Sequence, residues 1–219
     1  MNKFYSQCSE DKILYEKYFK NYSLEDLPRY YLEAGAIDGV MYSNTKFFEE
    51  SLSWRGILVE PNPFMFSRLA INRPNNKLIC AAISDQKTSL SFNVCMNVPA
   101  VCSLQMTKPE KFDNEYYANS QMLKINTIPV SLDTIIENSG VERIDLCVLD
   151  LEGHEKEALQ SFSFNKVPVV MFMIEFLDDK SKNDEVLKIM IKNNYSFKGK
   201  VAHNGIFIHN DYLKYFTLH

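Results

Sequence analysis

An α/β sandwich on a mostly parallel sheet is the fold the sequence predicts. Three observations predict it. Short continuous apolar runs of strand length alternate with amphipathic runs of helical length, the pattern of strands covered on both faces. The 219 residues are 46% apolar and 24% charged, which suits one core and one domain spanning 1–219. Glycine is scarce, and two of the seven glycines, Gly35 and Gly39, share one short loop after the first predicted strand.

Residues 1–28 read as a helical lead-in, with Ser9 placed to cap it before Ile13, Leu14 and Tyr18. Tyr30–Ala34 reads as a strand stopping at Gly35, and Asn44–Leu52 as a helix capped by Ser43 or Asn44. Gly56–Val59 is a buried strand ending at Glu60, after which Pro61-Asn62-Pro63 opens a helix through Phe64 to Ile71. Leu78–Ile83 reads as one further strand. The stretch 89–130 breaks the rhythm. It is polar, with weak strand signals at Leu90–Val94 and Thr127–Val130, and is expected to be an insertion on the substrate side of the sheet. Ile144–Leu149 is a strand ending at Asp150, followed by a helix over Glu155–Phe162. Val167–Ile174 is a strand ending at Glu175, followed by a helix over Asp184–Lys192. Tyr195–Val201 and Gly205–His209 form a terminal hairpin. Phe47, Phe48, Phe64 and Phe66 fall at helical spacing and are expected in the core.

The net charge of −4 argues against a nucleic-acid partner, which needs a basic face. The apolar run Val167–Ile174 is far short of the ~20 residues of a membrane span, and no signal peptide is visible. The five cysteines are odd in number and form no C-x-x-C pair, which disfavours a zinc ribbon or disulfide framework and points to the cytoplasm.

Four predicted strands finish on or beside a carboxylate: Glu33, Glu60, Asp150 and Glu175. Ligands of open α/β sheets bind outside the carboxyl ends of the strands, so this edge suits hydroxyls, a cation, or both. The loop from Glu33 to Gly39 has G-x-x-x-G spacing. It is neither the G-x-G-x-x-G dinucleotide fingerprint nor a P-loop, so pyrophosphate binding is disfavoured. Glu60 follows Gly39 by about 20 residues, the offset at which an acid bonds a ribose diol in nucleotide-binding folds.

The segments Tyr31–Gly39, Ser43-Asn44-Thr45, Trp54–Pro61 and Ile144–Glu155, with Ser6-Gln7 before Glu10-Asp11-Lys12, resemble the FkbM family of S-adenosylmethionine-dependent methyltransferases. His154 departs from the family pattern, which more often has a small residue there. The resemblance implies a class I methyltransferase (Rossmann-like) sandwich whose seven-stranded, mostly parallel sheet ends in an antiparallel hairpin. It implies S-adenosylmethionine in the crevice. Glu33, Gly35 and Asp38 would line its methionine end, with Ala36 and Gly39 in the same loop and Asn44 approaching from the next helix. Glu60, followed by Pro61, would hold the ribose. Ser84 and Asp85 would lie by the adenine, and Asp150 would face the reacting centre.

The family resembles enzymes that methylate hydroxyls, often on sugars. A sugar hydroxyl is a poor acid, so a base or a metal beside it helps. His154 is the first candidate base, since an imidazole accepts protons near neutrality, and Asp150 is the second. Asp150, Glu152 and Glu175 offer hard oxygen ligands for Mg²⁺ or Mn²⁺. Alternatively, Glu152 and Glu155 serve a helix N-terminus. Tyr42, Tyr116, Tyr117 and Glu175 are the candidate acceptor contacts, and Lys108, Lys111 and Lys124 give the insertion basic character. Arg73 is expected to cap a helix end or reach the insertion. The expected activity is O-methylation of a sugar hydroxyl in a glycan or glycoconjugate. The alternatives are a non-sugar small-molecule acceptor and a non-catalytic binding module.

Overall fold

In the computed structural model, which describes residues 2–24, 28–95, 102, 104 and 121–216, the apolar runs become strands. In chain order these are β1 (Tyr30–Ala34), β2 (Arg55–Val59), β3 (Lys77–Ile79), β4 (Ala82–Ile83), β5 (Leu90–Cys95) and β6 (Met122–Thr127). They continue with β7 (Pro129–Val130), β8 (Ile144–Leu149), β9 (Val169–Glu175), β10 (Tyr195–Val201) and β11 (Asn204–His209). Seven of them form the main sheet in the order β10-β11-β9-β8-β1-β2-β3. Pairing is parallel except at β11, which runs antiparallel to both β9 and β10.

The central strands are covered on both faces because successive side chains point to opposite sides of the sheet. Leu32, Ala34, Cys147, Leu149, Phe172 and Ile174 enter one cluster. Tyr31, Leu58, Leu146, Val148, Met171 and Met173 enter the other. The first cluster is closed by α4 (Leu132–Ser139), α5 (Glu155–Gln160) and α6 (Lys180–Lys192). The second is closed by α1 (Glu10–Leu14), α2 (Lys46–Leu52) and α3 (Pro63–Asn72). Among the described residues no helix is long and apolar enough to cross a membrane.

Local chemistry sets the helix starts. Asn62 Oδ1 accepts from Phe64 N at 3.0 Å, with Pro63 at the first helical position of α3. Asp179 caps α6 through Ser181 N and Lys182 N, so this helix begins at Lys180 rather than at Asp184. Ser9 does not cap α1: its backbone is left-handed and its side chain makes no capping bond. Asp11, fully buried, does the equivalent work by accepting from Tyr5 N (2.6 Å), Ser6 Oγ (2.6 Å) and Lys12 N (2.8 Å). α1 continues into a π-helical turn over Tyr15–Phe19, and Phe19 then packs on Phe48 and Trp54 at 5.4 and 5.0 Å between ring centroids.

Three further expectations need correction. Leu78–Ile83 is two strands, because β3 leaves the sheet edge after Ile79 and β4 pairs instead with the returning β7. Leu78 and Ile79 are half-buried and Ala82 and Ile83 buried, so both halves are apolar and the sequence shows no break. The second strand signal of the insertion also divides. β6 begins at Met122 and pairs antiparallel with β5, while Pro129–Val130 is β7. Phe47 and Phe48 are fully buried and Phe66 packs on the core, but Phe64 is 47% exposed on the outer face of α3.

Gly56 is a packing glycine. A Cβ there would lie 2.0 Å from the Tyr31 ring. Gly56→Ala is expected to cost about 1–3 kcal/mol by overpacking, read as a lower urea midpoint at constant slope. An unchanged midpoint would refute the packing account.

Candidate active site

The chain leaves the sheet centre in opposite directions: β1 leads toward β2 and β8 toward β9. Such a switch point opens a crevice at the carboxyl ends of the two strands. Here the strands come very close. Asp150 N donates to Ala34 O at 3.2 Å, and Gly35 N donates to Val59 O at 3.1 Å. A Cβ on Gly35 would lie 2.0 Å from the Asp150 carbonyl oxygen, and its φ is +84°, so only glycine fits. The cleft above it, about 120 Å³ in volume, opens to solvent and is walled by the ends of β1, β2, β8 and β9.

Two buried carboxylates shape the loops around the cleft. Glu33 accepts from Asn44 N (2.6 Å), Ser43 Oγ (2.9 Å) and Thr45 Oγ1 (2.5 Å). Burial pushes its carboxyl above the usual range, against these bonds and the field of Arg73. Glu60 accepts from Ile37 N (2.9 Å) and Asn62 N (2.7 Å), tying the loop after β1 to the loop after β2. Burial pushes Glu60 up to about 8. Asn44 lines the cleft with a buried Oδ1 that has no hydrogen-bond partner.

The opposite wall is acidic. Oxygens of Asp150, Glu152 and Glu175 all lie within 4.8 Å of one another. Carboxyls this close must share protons or a cation. Burial lifts Asp150 to about 6, while a hydrogen bond with Glu175 pulls it down. Glu175 rises to about 11 through burial and then the charges of Asp150, Glu152 and Glu155. Glu152 rises to about 8, again through burial first. Glu155 secures the loop beneath: its Oε1 accepts from Leu151 N (2.9 Å) and Gly153 N (3.1 Å), while burial lifts it to about 7.

His154 stands at the head of α5, 7% exposed, and lines the same cleft. Its Nδ1 is 3.7 Å from Glu157 Oε2, and its Nε2 is buried without a partner. Burial lowers its pKa and Lys182 adds to this, while Glu157 and Asp85 oppose. The ring is therefore neutral near pH 7 and able to accept a proton.

Most of the predicted site residues meet here. Glu33, Gly35, Tyr42, Asn44, Glu60, Pro61, Asp150, Glu152, His154 and Glu175 all line the cleft. Ala36, Asp38, Gly39, Ser84 and Asp85 do not. Asp38 turns back to accept from Val40 N (2.9 Å) and Met41 N (2.7 Å), and Ser84 is buried with its N–H on Val130 O. Asp85 acts instead on His154. Tyr116, Tyr117, Lys108 and Lys111 lie outside the described residues, and Lys124 is exposed on β6. The sequence reading passed over Gln7 from the lead-in and over Phe92, Cys102 and Leu104 from the insertion, all of which line the cleft. The only hint was the position of Gln7 in a segment already singled out.

A seven-stranded sheet with its antiparallel strand near one edge, and a glycine-turned cleft at the switch point, make up the class I methyltransferase fold. The family model of the FkbM methyltransferase domain matches residues 33–197. The chain belongs to that S-adenosylmethionine-type family. Among solved structures it is similar to a methyltransferase FkbM from Methylobacillus flagellatus KT (11% identity, TM-score 0.49, 84% of this chain and 45% of that one). The present chain thus spans less than half the length of that protein. It is also similar to a TehB-like S-adenosylmethionine-dependent methyltransferase from Corynebacterium glutamicum (9%, TM-score 0.45, 95% and 90%). A third is TrmK from M. capricolum, solved with S-adenosylhomocysteine (9%, TM-score 0.43, 88% and 67%). No curated protein matches the chain.

The carboxyls make a pH prediction. Glu60 and Glu155 have folded-state values near 8 and 7, above the unfolded value near 4.5. The folded state therefore holds protons that the unfolded chain releases, so stability is lost as pH rises from about 4.5 to about 8. The thermal midpoint of the ligand-free protein is expected to fall across that range, and Glu175→Gln is expected to flatten the fall. A midpoint that rises over the same range would contradict it.

Proposed function

We propose that the protein transfers a methyl group from S-adenosylmethionine to a hydroxyl oxygen of a sugar, in a glycan or glycoconjugate, as a single domain spanning 1–219. The observation that carries this reading is the neutral, buried His154, with Nε2 unsatisfied, in one cleft with Asp150.

The residues present suit the cofactor. Gly35 lets the loop turn tightly against Asp150 at the floor of the cleft, and the orphaned Asn44 Oδ1 awaits a donor such as an ammonium group. Glu60 keeps lone pairs for a ribose diol beyond its two backbone bonds. When bound, the cofactor supplies an already activated methyl group. The protein's part is to align the acceptor and take its proton. His154 accepts that proton, and Asp150 stands by as the second acceptor. Tyr42, 43% exposed at the rim, offers an aromatic face for a sugar ring, and the Glu175 carboxyl a hydrogen-bond partner for its hydroxyls. The partly exposed aromatic face and polar wall favour a sugar over a wholly apolar acceptor.

A second reading rests on the 4.8 Å carboxylate cluster: Mg²⁺ or Mn²⁺ held by Asp150, Glu152 and Glu175 would lower the acceptor hydroxyl's pKa. Its signature is turnover lost in EDTA and restored by Mg²⁺. Turnover indifferent to EDTA leaves proton acceptance to His154, with Asp150 behind it.

His154→Ala is expected to lower turnover on a responsive sugar by about 10²–10⁴-fold while S-adenosylhomocysteine affinity stays near wild type. Near-normal turnover would remove His154 from the role. S-adenosylmethionine and S-adenosylhomocysteine, but not NAD, are expected to raise the thermal midpoint. Binding without transfer to any member of a sugar and small-molecule panel would favour a binding module.

A further inference from the structure

Arg73 ends α3 with 1% exposure, and its side chain is spent on the far side of the cofactor loop. Nη1 donates to Gly39 O (2.8 Å) and Ser43 Oγ (3.3 Å). Nη2 donates to Tyr31 OH (2.6 Å) and Thr45 Oγ1 (3.4 Å), and Nε pairs with Glu49. Its neighbour Asn72 adds a bond from Nδ2 to Asp38 O at 2.8 Å. A Cβ on Gly39 would come within 2.6 Å of Arg73 Cγ. The second glycine of the G-x-x-x-G loop thus makes room for Arg73 and not for a ligand.

The contacts continue inward. Ser43 and Thr45, held from outside by Arg73, are the hydroxyls that bond Glu33. Asn44 between them gives its N–H to Glu33 and lines the cleft with its unsatisfied Oδ1. Arg73 itself does not line the cleft. We propose that Arg73 is a positioning residue for cofactor binding: it clamps residues 39–45 so that Asn44 and Glu33 present one fixed wall to the ligand. The proposal rests on the reading that the cleft binds S-adenosylmethionine. A planar guanidinium serves several acceptors at once, whereas an ammonium on the same stem is a single point charge.

The test is Arg73→Lys in the full chain, titrated calorimetrically with S-adenosylhomocysteine well below the thermal midpoint. The dissociation constant is expected to rise by about tenfold while the variant stays folded, because the loop loses its fork of bonds but keeps the buried charge. A purely structural residue would lower the thermal midpoint and leave that affinity unchanged, and this result would overturn the proposal. Glu49→Gln, which removes the charge paired with Arg73 at a site away from the cleft, is expected to weaken binding by about threefold. If Arg73→Lys does not fold, Glu49→Gln decides, and unchanged affinity again overturns the proposal. Wild-type protein that fails to bind S-adenosylhomocysteine would instead refute the cofactor reading itself.

Discussion

The close approach of the β1 and β8 ends is the constraint on which the cleft depends. The backbone after β1 passes so near the Asp150 carbonyl that Gly35 has no space for a side chain. That contact turns the chain away from β8 and toward Val59 O, which receives both Gly35 N and Ala36 N. The turn brings Ile37 N onto Glu60, and Glu60 in turn fixes the start of the segment leading into α3. One steric fact thus sets the relation of three strand ends, and the crevice between them is its consequence.

A second constraint is charge. The cleft gathers Glu33, Glu60, Asp150, Glu152 and Glu175 with little solvent to stabilise them. Glu33 and Glu60 are answered by backbone and hydroxyl donors, so they are structural as well as chemical. Asp150, Glu152 and Glu175 face one another, and their carboxyls are lifted by burial first, with the neighbouring charges behind it for Glu152 and Glu175. A site built this way is least comfortable when empty at neutral pH. A ligand rich in donors or positive charge relieves it, and S-adenosylmethionine, with its ammonium and sulfonium groups, is such a ligand.

The sheet was legible because its central strands are buried on both faces and so read as continuous apolar runs. Ile144–Leu149 was read without error for that reason, and its six residues are all buried. The site was legible where strand ends meet carboxylates. What stayed hidden depended on partners distant in sequence. Nothing near Arg73 signals that it will bond residues 39, 43 and 45, and nothing at Asp38 distinguishes a ligand contact from a carboxylate folded onto its own turn. The split of Leu78–Ile83 was invisible because both halves are apolar, each with a different pairing partner.

The proposed choice of base follows from the same charge argument. Asp150 is the group nearest the strand end, but burial lifts it to about 6 while a hydrogen bond with Glu175 pulls it back down. Taking up a proton there relieves crowding, yet the following release to solvent must restore a charge beside Glu152 and Glu175. His154 lacks that difficulty. It is neutral at rest, and the imidazolium formed on proton uptake gains from Glu157 and Asp85, which already face it. Asp85 belongs to the loop after β4, so the return path from the sheet edge supplies an electrostatic partner to the residue at the head of α5. The proposed base thus follows β8 of the main sheet, and its counter-charge follows β4, which pairs with β7 in a separate two-stranded sheet.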